Sequence, residues 1–225
     1  MMYFDWTWFL IIPALLLGLW AQSHVKRTYN KYAKVFSSRG VQAQDVVADI
    51  LRTEGCSDVR VQTIGGELTD NYNPQNKTLN LSQTVYGSSS IAAIGVAAHE
   101  AGHAIQHNQS FGPLMLRSVM VPVVRIGSGL AWPIFIFGLI LSFPLLMDIG
   151  IIAFSLAVLF SLITLPVELN ASHRAIRILA AGNYLTETEV SDTKKVLTAA
   201  ALTYVAAALA SILQLVRLLV LRGRR

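Results

Sequence analysis

With 225 residues, 53% of them hydrophobic, only 14% charged and a mean hydropathy of +0.51, the chain is too apolar for an ordinary soluble domain. The net charge of +5 comes largely from Lys and Arg beside apolar segments, as anionic lipid surfaces favour; no basic stripe is interleaved with aromatics, so nucleic acid is not an expected partner. Cys56 is the only cysteine, which excludes an intrachain disulfide and suits a packed, inert thiol.

Residues 6 to 23 carry no charge and are long enough to cross a bilayer. They are preceded by Asp5, lack a basic leader, and are followed by Lys26, Arg27, Lys31, Lys34 and Arg39, the pattern of an uncleaved anchor. The basic run places residues 24 onward in the cytoplasm and the N-terminus outside. Residues 41 to 54 then put Val46, Val47, Ile50 and Leu51 on one helical face, with Gly55 suited to the end. Residues 58 to 85 alternate in short β-like bursts, Val59 to Gln62 and Thr78 to Ser82, separated by turns at Gly65-Gly66 and Asn73-Pro74-Gln75-Asn76. Asn76 to Ser82 is a candidate edge strand for an extended peptide, or else an ordinary covering strand.

Residues 88 to 108 predict a helix opened by serines. It carries His99-Glu100-Ala101-Gly102-His103, two imidazoles one turn apart on one face with a carboxylate beside them. Zinc takes neutral imidazole nitrogen readily, so His99 and His103 are candidate ligands for one Zn2+ per chain. Glu100, next to the metal without ligating it, can take a proton from the water that attacks a carbonyl carbon. The competing reading is two surface histidines on an amphipathic helix. A third histidine six residues after the second, beyond a helix-breaking glycine, would mark one subclass of zinc peptidases, but Gln109 and Gln106 hold those positions. His107 shares the face at i+8, yet a straight helix puts it about 12 Å from His99, too far to share the ion. It reads as a polar neighbour of the site. Glu168 is the better third ligand, an acidic residue directly after a long apolar run, with Pro166 suited to a first helical turn.

Residues 126 to 147 and 149 to 167 are uncharged stretches of 22 and 19 residues, and Asp148 between them fits the turn of a transmembrane hairpin. Two crossings return the chain to the same side at Glu168, where it must meet His99 and His103. After Thr186-x-x-Glu189, which looks like a capping box, residues 196 to 216 form an uncharged, Ala-rich fourth stretch. If it spans, the tail Arg222-Gly223-Arg224-Arg225 lies outside, against the positive-inside tendency. Either the rule is overridden here, the whole orientation is inverted, or this helix packs over the site without crossing; a fourth membrane helix is favoured over the last.

Three segments carry a family resemblance: His99-Glu100-Ala101-Gly102-His103-Ala104-Ile105-Gln106, Leu165-Pro166-Val167-Glu168-Leu169-Asn170-Ala171-Ser172, and Ala199 to Ala208. With them the chain resembles, over nearly its whole length, the YugP-like neutral zinc metallopeptidases of bacteria. More distantly it is similar to the HtpX-like membrane endopeptidases, in which a Glu-x-x-x-Asp segment supplies the third ligand from a later helix. The resemblance implies that Glu168 is the third ligand. Ser172 stands where the Asp that orients a histidine ligand is expected, which leaves that role open.

The expected fold is a mainly α polytopic membrane protein with a small α+β, zincin-like catalytic region around the His-Glu-x-x-His helix. Its expected divisions are an anchor at 1–23, a cytosol-facing region at 24–125, a helical hairpin at 126–167, the third-ligand segment at 168–186, and a long helix with a basic tail at 187–225. The expected function is a zinc endopeptidase of the bacterial plasma membrane with Glu100 as general base, acting on polypeptides and, by analogy, on membrane proteins. His107, His173, Arg174 and Tyr204 are candidate neighbours of the ligands or oxyanion donors, each chosen only for polarity beside a motif. An intramembrane zinc protease is the first alternative, but those usually carry a later Asp-Gly motif, and here the only near match is Asp148-Ile149-Gly150. A membrane adaptor that keeps zinc without turnover is the second.

Overall fold

The computed structural model describes residues 6–223, so Asp5, Arg224 and Arg225 lie outside the described residues. In chain order the elements are α1 (Trp8–Tyr32), α2 (Ala43–Thr53), β1 (Arg60–Ile64), β2 (Asn71–Asn73), β3 (Thr78–Ser82), α3 (Ile91–Asn108), α4 (Gly112–Ile140), α5 (Pro144–Ala181) and α6 (Glu187–Gly223). Among the described residues, α1, α4, α5 and α6 are the helices long and apolar enough to cross a membrane; α3, which carries the paired histidines, is not one of them. The chain divides into two units, and the long helices contribute to both.

One unit comprises Ser23–Leu114 and Val167–Ala201. Its core begins with α2, whose apolar residues at helical spacing bury Val46, Val47, Ile50 and Leu51. The helix ends as expected, because Gly55 adopts φ +73, a left-handed conformation that costs glycine little. These side chains join Leu79 and Leu81 from β3 and Ile91, Ile94 and Ile105 from α3 in one cluster. The N-terminus of α3 is closed by Ser90, whose hydroxyl accepts from the Ala93 N–H at 3.2 Å. The N-terminus of α6 is closed by a reciprocal capping box: the Thr186 N–H donates to Glu189 Oε2 at 2.8 Å and the Glu189 N–H to Thr186 Oγ1 at 3.4 Å.

The sheet corrects one expectation. Its order is β1-β3-β2, with β1 parallel and β2 antiparallel to β3 (Arg60 opposite Thr78, Asn71 opposite Asn80). The segment from Asn76 to Ser82 therefore contains the central strand, with both edges of β3 already paired, and offers no free edge to a peptide. Four of the five β3 residues are buried. The edges are instead β1 and β2, and β2 has only three residues, too short an alternation to read from sequence.

The other unit comprises the described residues up to Gln22, Met115–Pro166 and those from Leu202 on. Here Phe135, Met147, Ile151 and Leu218 form a buried cluster. Two glycines let α4 and α5 approach closely: a Cβ on Gly138 would lie 2.7 Å from the Met147 nitrogen, and one on Gly150 2.8 Å from Phe135 Cβ. The helical hairpin turns at residues 141–143, not at Asp148, which sits inside α5. Ser142 takes a positive φ of 51 and Pro144 occupies the first position of α5, where its missing N–H costs nothing. Asp148 instead receives both Nε and Nη2 of Arg222, at 2.8 and 3.1 Å. Arg217 donates to Thr7 Oγ1 at 3.0 Å and stacks its guanidinium 4.2 Å from the Trp8 ring. The end of α6 thus meets the starts of α1 and α5 at one end of this unit.

Pro166 is likewise not in a first turn. It lies inside the 38-residue α5, which continues unbroken past it to Ala181. At 1.5 Å per residue, α5 is about 57 Å long, nearly twice the hydrocarbon thickness of a bilayer. A helix of that length can carry a membrane span and still continue into Glu168.

Candidate metal centre

Helix α3 presents His99 and His103 from one face, with ring centroids 4.8 Å apart and planes at 86°. Helix α5 presents Glu168 and, one turn later, Ser172. The two backbones come close at Gly102, where an added Cβ would lie 2.8 Å from the Ala171 carbonyl oxygen. Any larger residue at 102 would push α5, and Glu168 with it, away from the histidines.

The carboxylate meets both rings through a single oxygen. Glu168 Oε2 lies 3.2 Å from His99 Nε2 and 3.5 Å from His103 Nε2. One ligand atom from each of these three residues falls within 4.8 Å of the others, so together they can hold a metal ion. The remaining ring nitrogens are engaged elsewhere: His99 Nδ1 with Ser172 Oγ at 3.1 Å, and His103 Nδ1 with Gln106 Oε1 at 3.0 Å. This leaves the two Nε2 atoms converging on one carboxylate, the donor set of two imidazoles and one carboxylate that zinc accepts.

The electrostatics also favour a cation here. Burial pushes the Glu168 carboxyl up, but the hydrogen bonds from His103 and His99 outweigh it and hold the group well below the usual carboxylate range. Burial opposes a charged His103, yet its bond to Glu168 and the negative charge of Glu100 outweigh that and raise its pKa. Two acidic groups therefore surround the imidazoles where only 2% of Glu168 and 9% of Glu100 is exposed. A divalent ion between the three side chains answers that charge without a proton. Zinc fits the residues present.

The other sequence candidates separate. Ser172 occupies the place of the expected Asp, and its hydroxyl lies 3.1 Å from His99 Nδ1. Arg174 is spent elsewhere: its Nε donates to Asn170 Oδ1 and its Nη1 to Gln109 Oε1, both at 2.7 Å. His173 is exposed and lines a cavity of about 320 Å³ with Ser172, Leu169, Arg177, Lys194 and Leu197. His107 bonds through Nδ1 to the Tyr72 hydroxyl at 2.8 Å. Burial, with the nearby Cys56 and Asp58, pushes that phenol up to about 12, so it stays protonated beside the imidazole. Tyr204 belongs to α6 within the other unit. Cys56 is buried, which raises its thiol pKa and suits an inert group.

Sequence reasoning missed Gln106. It is fully buried and touches His103, and the signal available was its position at i+3 from a ligand on the same helix face.

Comparison with known proteins gives three findings. Residues 7–223 match the family described as "Putative neutral zinc metallopeptidase". The chain is 47% identical over 218 residues, 96% of its own length and 97% of the relative's, to "Putative membrane protease YugP" of Bacillus subtilis strain 168. No solved structure matches it.

Proposed function

We propose that this chain, which belongs to the family described as putative neutral zinc metallopeptidases, is a membrane-bound zinc endopeptidase that hydrolyses polypeptides with Glu100 as general base. The observation that carries the reading is the convergence of His99 Nε2, His103 Nε2 and Glu168 Oε2. These three atoms would hold zinc, which when bound polarises a carbonyl and acidifies water. The chain's own groups do the rest. Glu100, the residue after one ligand and not itself among the three, takes a proton from the attacking water and returns it to the leaving amine. Gly102 and Ala171 keep the two ligand-bearing helices close. Two of the Arg174 donors are committed to Asn170 and Gln109.

Hydrolysis of casein by the detergent-solubilised chain should disappear with a strong chelator and return on adding zinc. Activity that survives complete removal of the metal would reject the zinc mechanism.

In this reading all four long helices cross a bacterial plasma membrane, with the metal centre on the cytoplasmic side. The basic residues after α1 support the orientation. The C-terminal arginines oppose it on charge alone; of these, Arg222 is paired with Asp148, which offsets one of those charges. A cysteine at Ser142 should react with an impermeant maleimide on intact cells, and one at Gln75 only after lysis. The opposite pattern would invert the topology.

A further inference from the structure

Gln106 is fully buried, so no solvent completes its hydrogen bonds. Its Nε2 lies 2.9 Å from the Val167 carbonyl oxygen, an atom that can only accept. The same Nε2 lies 2.9 Å from Asn170 Oδ1. That atom is also defined, because it receives Arg174 Nε, a group that can only donate, at 2.7 Å. Two independent partners therefore fix which end of the Gln106 amide is nitrogen. Its oxygen is left facing His103 Nδ1 at 3.0 Å, and Nδ1 must carry a proton to donate to it. The lone pair of a neutral His103 is then confined to Nε2, the atom that faces Glu168.

His99 is held differently. Its Nδ1 meets the hydroxyl of Ser172, which can donate or accept, so nothing in that contact selects a tautomer. The two histidines are thus unequal, one locked and one adaptable.

We propose that Arg174, Asn170 and Gln106 form a hydrogen-bonded chain of positioning residues that locks His103 in the tautomer whose Nε2 binds the metal. The inference rests on the zinc reading of the site. The chain begins at the half-buried Arg174, passes through two amides of opposite helices, and ends on a ligand, so it also ties α3 to α5 across the centre. Neighbours of this kind typically change metal affinity by about 10- to 100-fold when removed.

The test measures zinc dissociation constants, by competition with a chromogenic chelator in detergent, for wild type, Gln106→Met, Asn170→Leu and Asn170→Asp. Wild type alone tests the zinc reading: no binding there overturns that reading and this inference with it. Given a binding wild type, Gln106→Met should weaken zinc about 10- to 100-fold. Asn170→Leu should weaken it as well, whereas Asn170→Asp keeps an acceptor for both Arg174 and Gln106 and should stay within about threefold of wild type. If Gln106→Met fails to fold, the Asn170 pair decides. A second readout is the slowly exchanging imidazole Nδ1–H in zinc-loaded, 15N-histidine-labelled protein, expected in wild type and Asn170→Asp and lost in Gln106→Met. Equal affinity in Asn170→Leu and Asn170→Asp, or Gln106→Met within about twofold of wild type, would overturn the proposal.

Discussion

Glu100→Gln is expected to lower peptide hydrolysis by about 10²- to 10⁴-fold while zinc binding persists. The substitution keeps the shape and volume of the side chain, which matters because only 9% of Glu100 is exposed. What it removes is the ability to accept a proton at neutral pH. Glu100 is outside the three groups whose donor atoms converge, so no ligand is lost with it. It does act on the site through its charge, since its carboxylate helps raise the pKa of His103. Zinc should therefore still bind, because all three donor atoms remain, with an affinity lowered by the loss of one neighbouring charge. Casein hydrolysis and zinc content measured on the same samples separate the outcomes. A fully active, zinc-loaded variant would remove Glu100 from the mechanism. An inactive variant without zinc would make it a ligand instead, and would leave the non-catalytic adaptor reading open.

What could be read from sequence follows from the range of the interactions involved. Local signals were sufficient for α2, for the Ser90 cap, for the Thr186 and Glu189 box, and for β3, whose residues Thr78–Ser82 match the expected burst. The four apolar helices were legible from length and hydropathy, although their ends were not. Helix α4 begins at Gly112 and includes Arg117 and Arg125, so the uncharged stretch from 126 to 147 marks only part of it and runs on into the next helix. Charge also misplaced the hairpin turn. Asp148 looked like a break because it interrupts an apolar run, but a carboxylate can sit in a helix when Arg222 lies beside it. That partner is 74 residues away in sequence. The chain instead turns at Ser142 and restarts at Pro144, signals that lay inside the uncharged stretch.

Non-local pairing explains the remaining differences. The three residues of β2 become a strand because β3 hydrogen-bonds to them, and that pairing makes β3 central. At the metal centre, the two histidines were visible because one helix carries both at i and i+4. Glu168 depended on resemblance together with its unusual position after an apolar run. The contacts of Ser172 and Gln106 depend on α3 and α5 meeting at Gly102, a closeness that no pattern within either helix declares.

Glu168→Gln should cost more zinc affinity than any change in the surrounding hydrogen bonds, hence more than about 100-fold. Glu168 is 2% exposed, and in the proposed site it would supply both a ligand atom and the charge that offsets a divalent ion. The amide keeps the volume, so α3 and α5 can still pack, but it loses the anion that His99 and His103 both address through Nε2. Glu168→Ala removes the ligand atom and leaves a cavity, and should bind zinc no better. Two imidazoles remain in each case, and they can retain weak affinity without a productive site. Comparing the two variants separates charge from space: similar, large losses in both point to the carboxylate as ligand, whereas a loss confined to Glu168→Ala points to packing. Zinc binding unchanged in both would reject Glu168 as the third ligand, and the search would return to other acceptors near His99 and His103.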